Sequence, residues 1–257
     1  MTDRFVFDPD YVVPPGATLR EALEERDTSQ ANFALRTGLT EKEWLRGIPV
    51  AELVGRGYIP LRNGTSSMIR EVLRFFQVRS VDAWKTVWEE PQIKFRARRK
   101  ARGVSAGSAA AWLRMGELEA AKIECGSYDE QSFKKALLEV RGMTTVSPNE
   151  WKLRVQKRCA AAGVAVIWIK EMPKSGVSGI TRWLSKEKAL ILLGLKFKRN
   201  EQVSFSFFHE ACHVLKHGKK LTFYEIEKPA PDELELEADE FAAGFLTPRE
   251  HVGSSTA

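Results

Sequence analysis

The stretch that decides the fold runs from residue 205 to residue 215 and reads FSFFHEACHVL. Its apolar residues recur at helical spacing, which predicts an amphipathic helix docked on a core. His209 and His213 lie four residues apart, so both imidazoles project from one face of that helix and can bind the same metal ion. Glu210 follows the first histidine directly, where a carboxylate can take a proton from a metal-activated water. The motif therefore predicts a zinc site with Glu210 as the catalytic base.

A zinc site of this kind needs a third protein ligand, and a downstream acidic segment offers several candidates. We expect residues 233–246 to form a helix, in which Glu237 borders an apolar stripe. A carboxylate beside a buried stripe needs a partner, so Glu237 is favoured. Glu233 and Glu235 remain alternatives, although a helix dipole and a capping box would also explain acids near a helix start. Asp239 is a candidate to accept a hydrogen bond from a ligand histidine, or else a solvated helix acid.

An HExxH zinc site is typical of metalloproteases. Peptide hydrolysis would also need a group that stabilises the developing oxyanion, and the sequence gives three candidates for this role. These candidates are Arg182, Tyr224 and His217. His217 does not fit the spacing of the third metzincin ligand, because lysines occupy positions 216 and 219, where that motif needs glycine and histidine. We therefore treat His217 as a neighbour of the metal site.

The rest of the chain predicts an α+β protein. Apolar residues keep helical spacing from Ile48 to about Val140, which predicts a helical N-terminal half. Three strand-like runs follow, at Val164–Ile169, Ser178–Leu184 and Ala189–Lys196. Helical spacing then returns around the two histidines and in the acidic segment. Three strands followed by two helices predict an α+β domain with a small antiparallel sheet. The HExxH helix in this domain makes it similar to zincins.

The composition is that of an ordinary globular protein with a moderate positive charge. The 257 residues are 43% hydrophobic, and the formal net charge is +6. Three cysteines without CxxC spacing argue against a disulfide framework and favour a reducing compartment. The N-terminal stretch lacks the apolar run of a signal peptide, and no run approaches the ~20 apolar residues that a membrane helix needs. We expect a cytoplasmic protein that does not bind membranes.

Two longer stretches carry a family resemblance. FFHEACHVLKHGKK, starting at residue 207, and ELEADEFAAGFLTP, starting at residue 235 with its first Glu, are similar to the HExxH helix and the EA(N/D)xFA helix of the ImmA/IrrE metallopeptidases. The resemblance covers roughly residues 135–250. It implies a zinc cofactor bound by His209, His213 and Glu237, with Glu210 as base. It also implies a protein substrate of the repressor type.

The N-terminal region resembles part of a DNA-binding domain. Residues 18–42, TLREALEERDTSQANFALRTGLTEK, are similar to the first half of an XRE-type helix-turn-helix, as in HigA-like antitoxins fused to ImmA/IrrE domains. A simple helical hairpin is the alternative. A recognition helix does not follow, and Glu41 and Glu43 would repel phosphate where base-reading side chains are expected. We therefore expect DNA binding to be weak.

A basic segment offers a second contact with nucleic acid. Residues 94–102 hold six basic residues in nine, which could follow a phosphate backbone; a solvated helix face or a linker is the alternative. The candidate DNA-binding residues are Arg96, Arg98, Arg99, Lys100 and Arg102.

These patterns divide the chain into three parts. We expect a partial helix-turn-helix-like region at 1–45, a helical connection at 46–134 and a metallopeptidase domain at 135–257. The predicted function is a zinc-dependent endopeptidase that cleaves a protein partner, namely a repressor or a toxin–antitoxin component. The alternative is a transcriptional regulator or antitoxin of the XRE–HigA type whose metal site is sensory or idle.

Overall fold

The computed structural model describes residues 41–89, 105–143, 146–196, 200–218, 222–226 and 233–247. The chain divides into two compact units, residues 1–44 and residues 45–257. Of the first unit only residues 41–44 are described, and they form the first four residues of the helix Glu41–Arg46, α1. Residues 18–40 of the helix-turn-helix-like segment and the whole basic segment 94–102 lie outside the described residues. The three-part division of the chain stays a prediction.

The N-terminal half of the second unit is helical, as the sequence predicts. The helices before the sheet are α1 (Glu41–Arg46), α2 (Val50–Gly55), α3 (Thr65–Phe75), α4 (Val81–Trp84, which continues into a π-helical turn at Lys85–Glu89), α5 (Ala106–Ala121), α6 (Glu130–Arg141) and α7 (Pro148–Ala161). Side-chain caps fix several of their starts. Ser105 accepts a hydrogen bond from the amide of Ser108, and Asp129 accepts one from the amide of Ser132.

A four-stranded sheet lies at the centre of the C-terminal half. Its strands are β1 (Val164–Trp168), β2 (Val177–Trp183), β3 (Ala189–Leu193) and β4 (Thr222–Ile226), in the order β1-β3-β2-β4. β2 runs antiparallel to both of its neighbours. β1 runs parallel to β3, so the sheet is mixed and not wholly antiparallel as predicted. β3 lies between β2 and β1 in the sheet, and β1 and β3 run in the same direction.

Two helices cover the two faces of this sheet. Leu192 of β3 packs closely against Gly116 of α5. A Cβ atom added to that glycine would lie only 2.7 Å from Leu192 Cδ2. The neighbouring Ile191 faces the opposite way and joins the core with Phe207 and Phe208 of α8 (Asn200–Lys216). The alternation of strand side chains therefore places α5 and α8 on opposite faces.

The last described helix, α9 (Glu233–Leu246), packs against α8. Its fully buried residues are Ala238 and Ala242, and these small side chains allow the two helices to approach closely. The α+β class is thus confirmed, with α8 held between the sheet and α9. Within the described ranges, every helix is too short or too polar to traverse a lipid bilayer.

Candidate metal centre

Three histidines form a row along α8. His209, His213 and His217 follow one another at four-residue intervals, so their side chains share one face of the helix. All three residues are buried, with exposed fractions of 3%, 1% and 8%. That face meets α9, which carries the acids. Buried polar side chains need partners, and here α8 and α9 supply them to each other.

The carboxylate that reaches the histidine pair belongs to Glu235. Its Oε2 lies 3.1 Å from His209 Nε2, and its Oε1 lies 3.5 Å from His213 Nε2. The two Nε2 atoms are 3.2 Å apart. Glu235 is 5% exposed, although it stands in the first turn of α9. Among the described residues, His209, His213 and Glu235 form a group whose ligand atoms could surround one metal ion.

The spacing of these donor atoms fits zinc. Zinc–nitrogen and zinc–oxygen bonds of about 2.0–2.1 Å in a tetrahedral site put neighbouring donors about 3.3 Å apart. The three observed separations of 3.1, 3.2 and 3.5 Å bracket that value. Two imidazoles and one carboxylate are also the donor types of catalytic zinc sites with an open fourth position. The residues present therefore suit a catalytic zinc ion.

The other ring nitrogens of the two histidines also have partners. His209 Nδ1 lies 2.8 Å from Asp239 Oδ1, within hydrogen-bonding distance. The sequence gives Asp239 as a candidate for this contact. His213 Nδ1 lies 2.7 Å from His217 Nδ1, and His217 Nε2 lies 2.9 Å from Glu237 Oε2. Such contacts leave the Nε2 atoms of both ligand histidines directed at Glu235.

Glu237 is not part of this group of donor atoms, so the geometry favours Glu235 in place of the predicted Glu237 as third ligand. The Glu237 side chain is 43% exposed and accepts a hydrogen bond of 2.8 Å from Lys216 Nζ. That hydrogen bond, together with the one from His217, lowers the pKa of Glu237. Glu233, the other alternative, is exposed at the start of α9.

The predicted base, Glu210, is fully buried beside the sheet. The hydroxyl of Thr181 on β2 makes a short hydrogen bond to Glu210 Oε2 and lies 3.1 Å from the Glu210 carbonyl oxygen. Thr181 is 1% exposed, so the contact is shielded from water. Sequence reasoning missed Thr181. A hydroxyl amid apolar residues on a strand was the signal that could have indicated it.

Cys212 lies between the two histidines in sequence but does not join the donors. Burial raises the pKa of its thiol to about 11, and its Sγ lies 3.9 Å from the Glu237 carbonyl oxygen. Its sulfur is not part of the group of donor atoms that could surround one ion, which consists of imidazole nitrogens and a carboxylate oxygen.

The structure gives a position for the Arg182 side chain, which lies away from this site. Arg182 follows Thr181 on β2 and so points to the opposite face, where its Nη1 lies 3.0 Å from Glu117 Oε1 of α5. Arg182 therefore points away from the candidate metal site, which argues against its predicted role at the oxyanion. Tyr224 belongs to β4 and pairs with Ile180 of β2, while its side chain lies outside the described part. The basic residues of 94–102 likewise lie outside it.

Comparison with known proteins gives one match. Residues 161–253 match the sequence model of the Peptidase_M78 family, described as the IrrE N-terminal-like domain. The curated proteins and the solved structures contain no significant match. The matched segment includes the sheet, α8 and α9, and with them all the metal-site residues described above. Residues 161–253 are therefore similar to the peptidase-type domain of the ImmA/IrrE proteins.

Proposed function

We propose that this protein is a zinc-dependent endopeptidase. The proposal rests mainly on one observation: the possible ligand atoms of His209, His213 and Glu235 all lie within 4.8 Å of one another. The buried Glu210 directly follows His209 in the same helix. A structural zinc site would use four protein ligands, commonly with cysteine, whereas three ligands of this type leave a position for water or substrate. The match to a peptidase-type domain supports the same conclusion.

The residues of the site would divide the chemistry as follows. A bound zinc ion would polarise the scissile carbonyl and lower the pKa of an attacking water toward ~7. Glu210 accepts the proton of that water and delivers it to the leaving amine, as a general base and then a general acid. Thr181 holds one oxygen of the Glu210 carboxylate through its short hydrogen bond.

The proposed substrate is a protein regulator of the repressor or antitoxin type. This part of the proposal rests on the family resemblance, which concerns enzymes of that substrate class. The three cysteines, Cys125, Cys159 and Cys212, are free thiols, which supports a reducing compartment such as the cytoplasm. Any DNA contact would be weak, since α1 exposes Glu41 and Glu43 in its first turn.

The test of this proposal compares Glu210→Gln with wild type. The variant keeps the side-chain size but cannot take a proton, so cleavage should fall roughly 10²-fold or more while bound zinc stays equal. Each form is co-expressed with candidate repressor or antitoxin partners, and fragments are identified by mass spectrometry. Glu201→Gln, an exposed acid on the same helix, is the matched control and should cleave like wild type.

Two outcomes would contradict the proposal. Cleavage by Glu210→Gln at the wild-type rate would exclude Glu210 as the base. Zinc-loaded wild type that cleaves no partner would contradict the peptidase assignment and favour a regulator with a metal-sensing site.

A further inference from the structure

A chain of hydrogen bonds leads from the metal site to the surface. It starts at His213, which is 1% exposed, and continues to His217, whose side chain is 2% exposed. It then reaches Glu237 and Lys216, whose side chains are 43% and 44% exposed. The successive separations are 2.7, 2.9 and 2.8 Å, all within hydrogen-bonding distance. α8 and α9 are thus joined by one continuous polar path beside the metal site.

The proton positions along this path follow from the direction in which His213 faces. Its Nε2 points at His209 and Glu235, so it must be unprotonated to bind a metal, and the ring proton lies on Nδ1. His217 Nδ1 must then accept that proton in a hydrogen bond. A neutral imidazole that accepts at Nδ1 carries its own proton on Nε2, and His217 Nε2 faces Glu237 Oε2.

We propose that His217 and Glu237 are positioning residues that hold His213 in the Nδ1–H tautomer and direct its Nε2 to the metal. This inference rests on the proposed zinc site. It gives Glu237 a different role from the ligand that the sequence suggested. His209 is oriented directly by the Asp239 carboxylate, whereas His213 is oriented by a carboxylate acting through an intervening imidazole. Contacts of this kind fix ring orientation and increase the basicity of the metal-binding nitrogen.

A purely structural role is the competing explanation, in which Glu237 simply ties α9 to Lys216 and His217 on α8. The two explanations depend on different nitrogens of His217. Orientation of His213 requires the acceptor at Nδ1, while a tie between the helices requires the donor at Nε2. The side-chain oxygen of an asparagine can replace the Nδ1 acceptor of His217. The side-chain amide nitrogen of a glutamine can replace the Nε2 donor.

The experiment measures the zinc affinity of the full chain by competition with a chromophoric chelator. His217→Leu removes both hydrogen bonds and should weaken zinc binding about 10- to 100-fold. His217→Asn keeps the acceptor for His213 and should restore affinity to within a few-fold of wild type. His217→Gln keeps the donor to Glu237 and should remain as weak as the leucine variant. Glu233→Gln, a change at an exposed acid on α9, is the control and should leave affinity unchanged.

A second measurement reads the tautomers directly. Nitrogen-15 NMR of the zinc-loaded protein should show His213 protonated at Nδ1 and His217 as the neutral Nε2–H form. Equal zinc affinity of His217→Leu and wild type would overturn the inference, as would recovery by glutamine and not by asparagine. Wild type that binds no zinc would instead overturn the proposed function on which the inference rests.

Discussion

The hydrogen bond between Thr181 and Glu210 gives the sharpest test of the site's internal energetics. Thr181→Val keeps the shape of the side chain and removes the hydroxyl that a fully buried carboxylate accepts from. A hydrogen bond to a charged group contributes about 1.5–3 kcal/mol. The added methyl group returns about 0.8 kcal/mol through burial. We therefore expect the metal-free protein to lose about 1–2 kcal/mol of unfolding free energy.

The assay measures thermal and urea unfolding in the presence of a chelator, with circular dichroism as the signal. For a unit of this size each kcal/mol shifts Tm by about 2–4 °C, so the expected decrease is roughly 2–8 °C. Glu210→Gln supplies the second background, in which the hydroxyl faces a neutral amide. A neutral hydrogen bond contributes only about 0.5–1.5 kcal/mol, so Thr181→Val should be nearly neutral there. An equal loss in both backgrounds would refute the reasoning, because it would show that the hydroxyl of Thr181 does not stabilise a charged Glu210 carboxylate.

Two further predictions follow from the described contacts. Glu235→Ala should remove zinc from the purified protein by elemental analysis, while Leu236→Ala at the exposed neighbouring position should retain it; an unchanged zinc content in Glu235→Ala would exclude Glu235 as ligand. Asp129→Ala should lower Tm at pH 7, because hydrogen bonds from Ser132 lower the pKa of Asp129. A lowered pKa means stabilisation above the unfolded pKa near 3.9 that is lost as pH falls through the folded value, so the Tm difference should shrink in acid; a constant difference would contradict the capping role.

The metal-site helix could be predicted from sequence because its signals are local. The HExxH spacing fixes which residues share a face, and the apolar residues fix which face is buried. The helical spacing of apolar residues likewise predicts the helices of the N-terminal half. Strand β4 was missed, since its five residues form a short run between two strong helical patterns. The parallel pairing of β1 with β3 depends on strand order, which a local pattern does not specify.

The third ligand could not be selected correctly from the same kind of pattern. The apolar stripe predicted beside Glu237 consists of Leu234, Ala238, Phe241 and Phe245, and Leu234 is 37% exposed. The buried face of α9 follows Ala238 and Ala242, and Glu235 precedes them by three and seven residues on that same face. The large residues dominate a hydrophobic pattern, whereas the small residues allow the closest approach between helices. The small residues therefore decide which face of α9 packs against α8.

The division of the donors between α8 and α9 has a thermodynamic consequence. A metal ion bound by two residues of one helix and one of another acts as a cross-link between segments that a polypeptide loop otherwise joins. Ion affinity and the docking of α9 are then reciprocal quantities, because each is strengthened by the other to the same extent. Any partner that separated α9 from α8 would release the ion. Separating the two helices would cost less free energy in the metal-free protein than in the metal-bound protein.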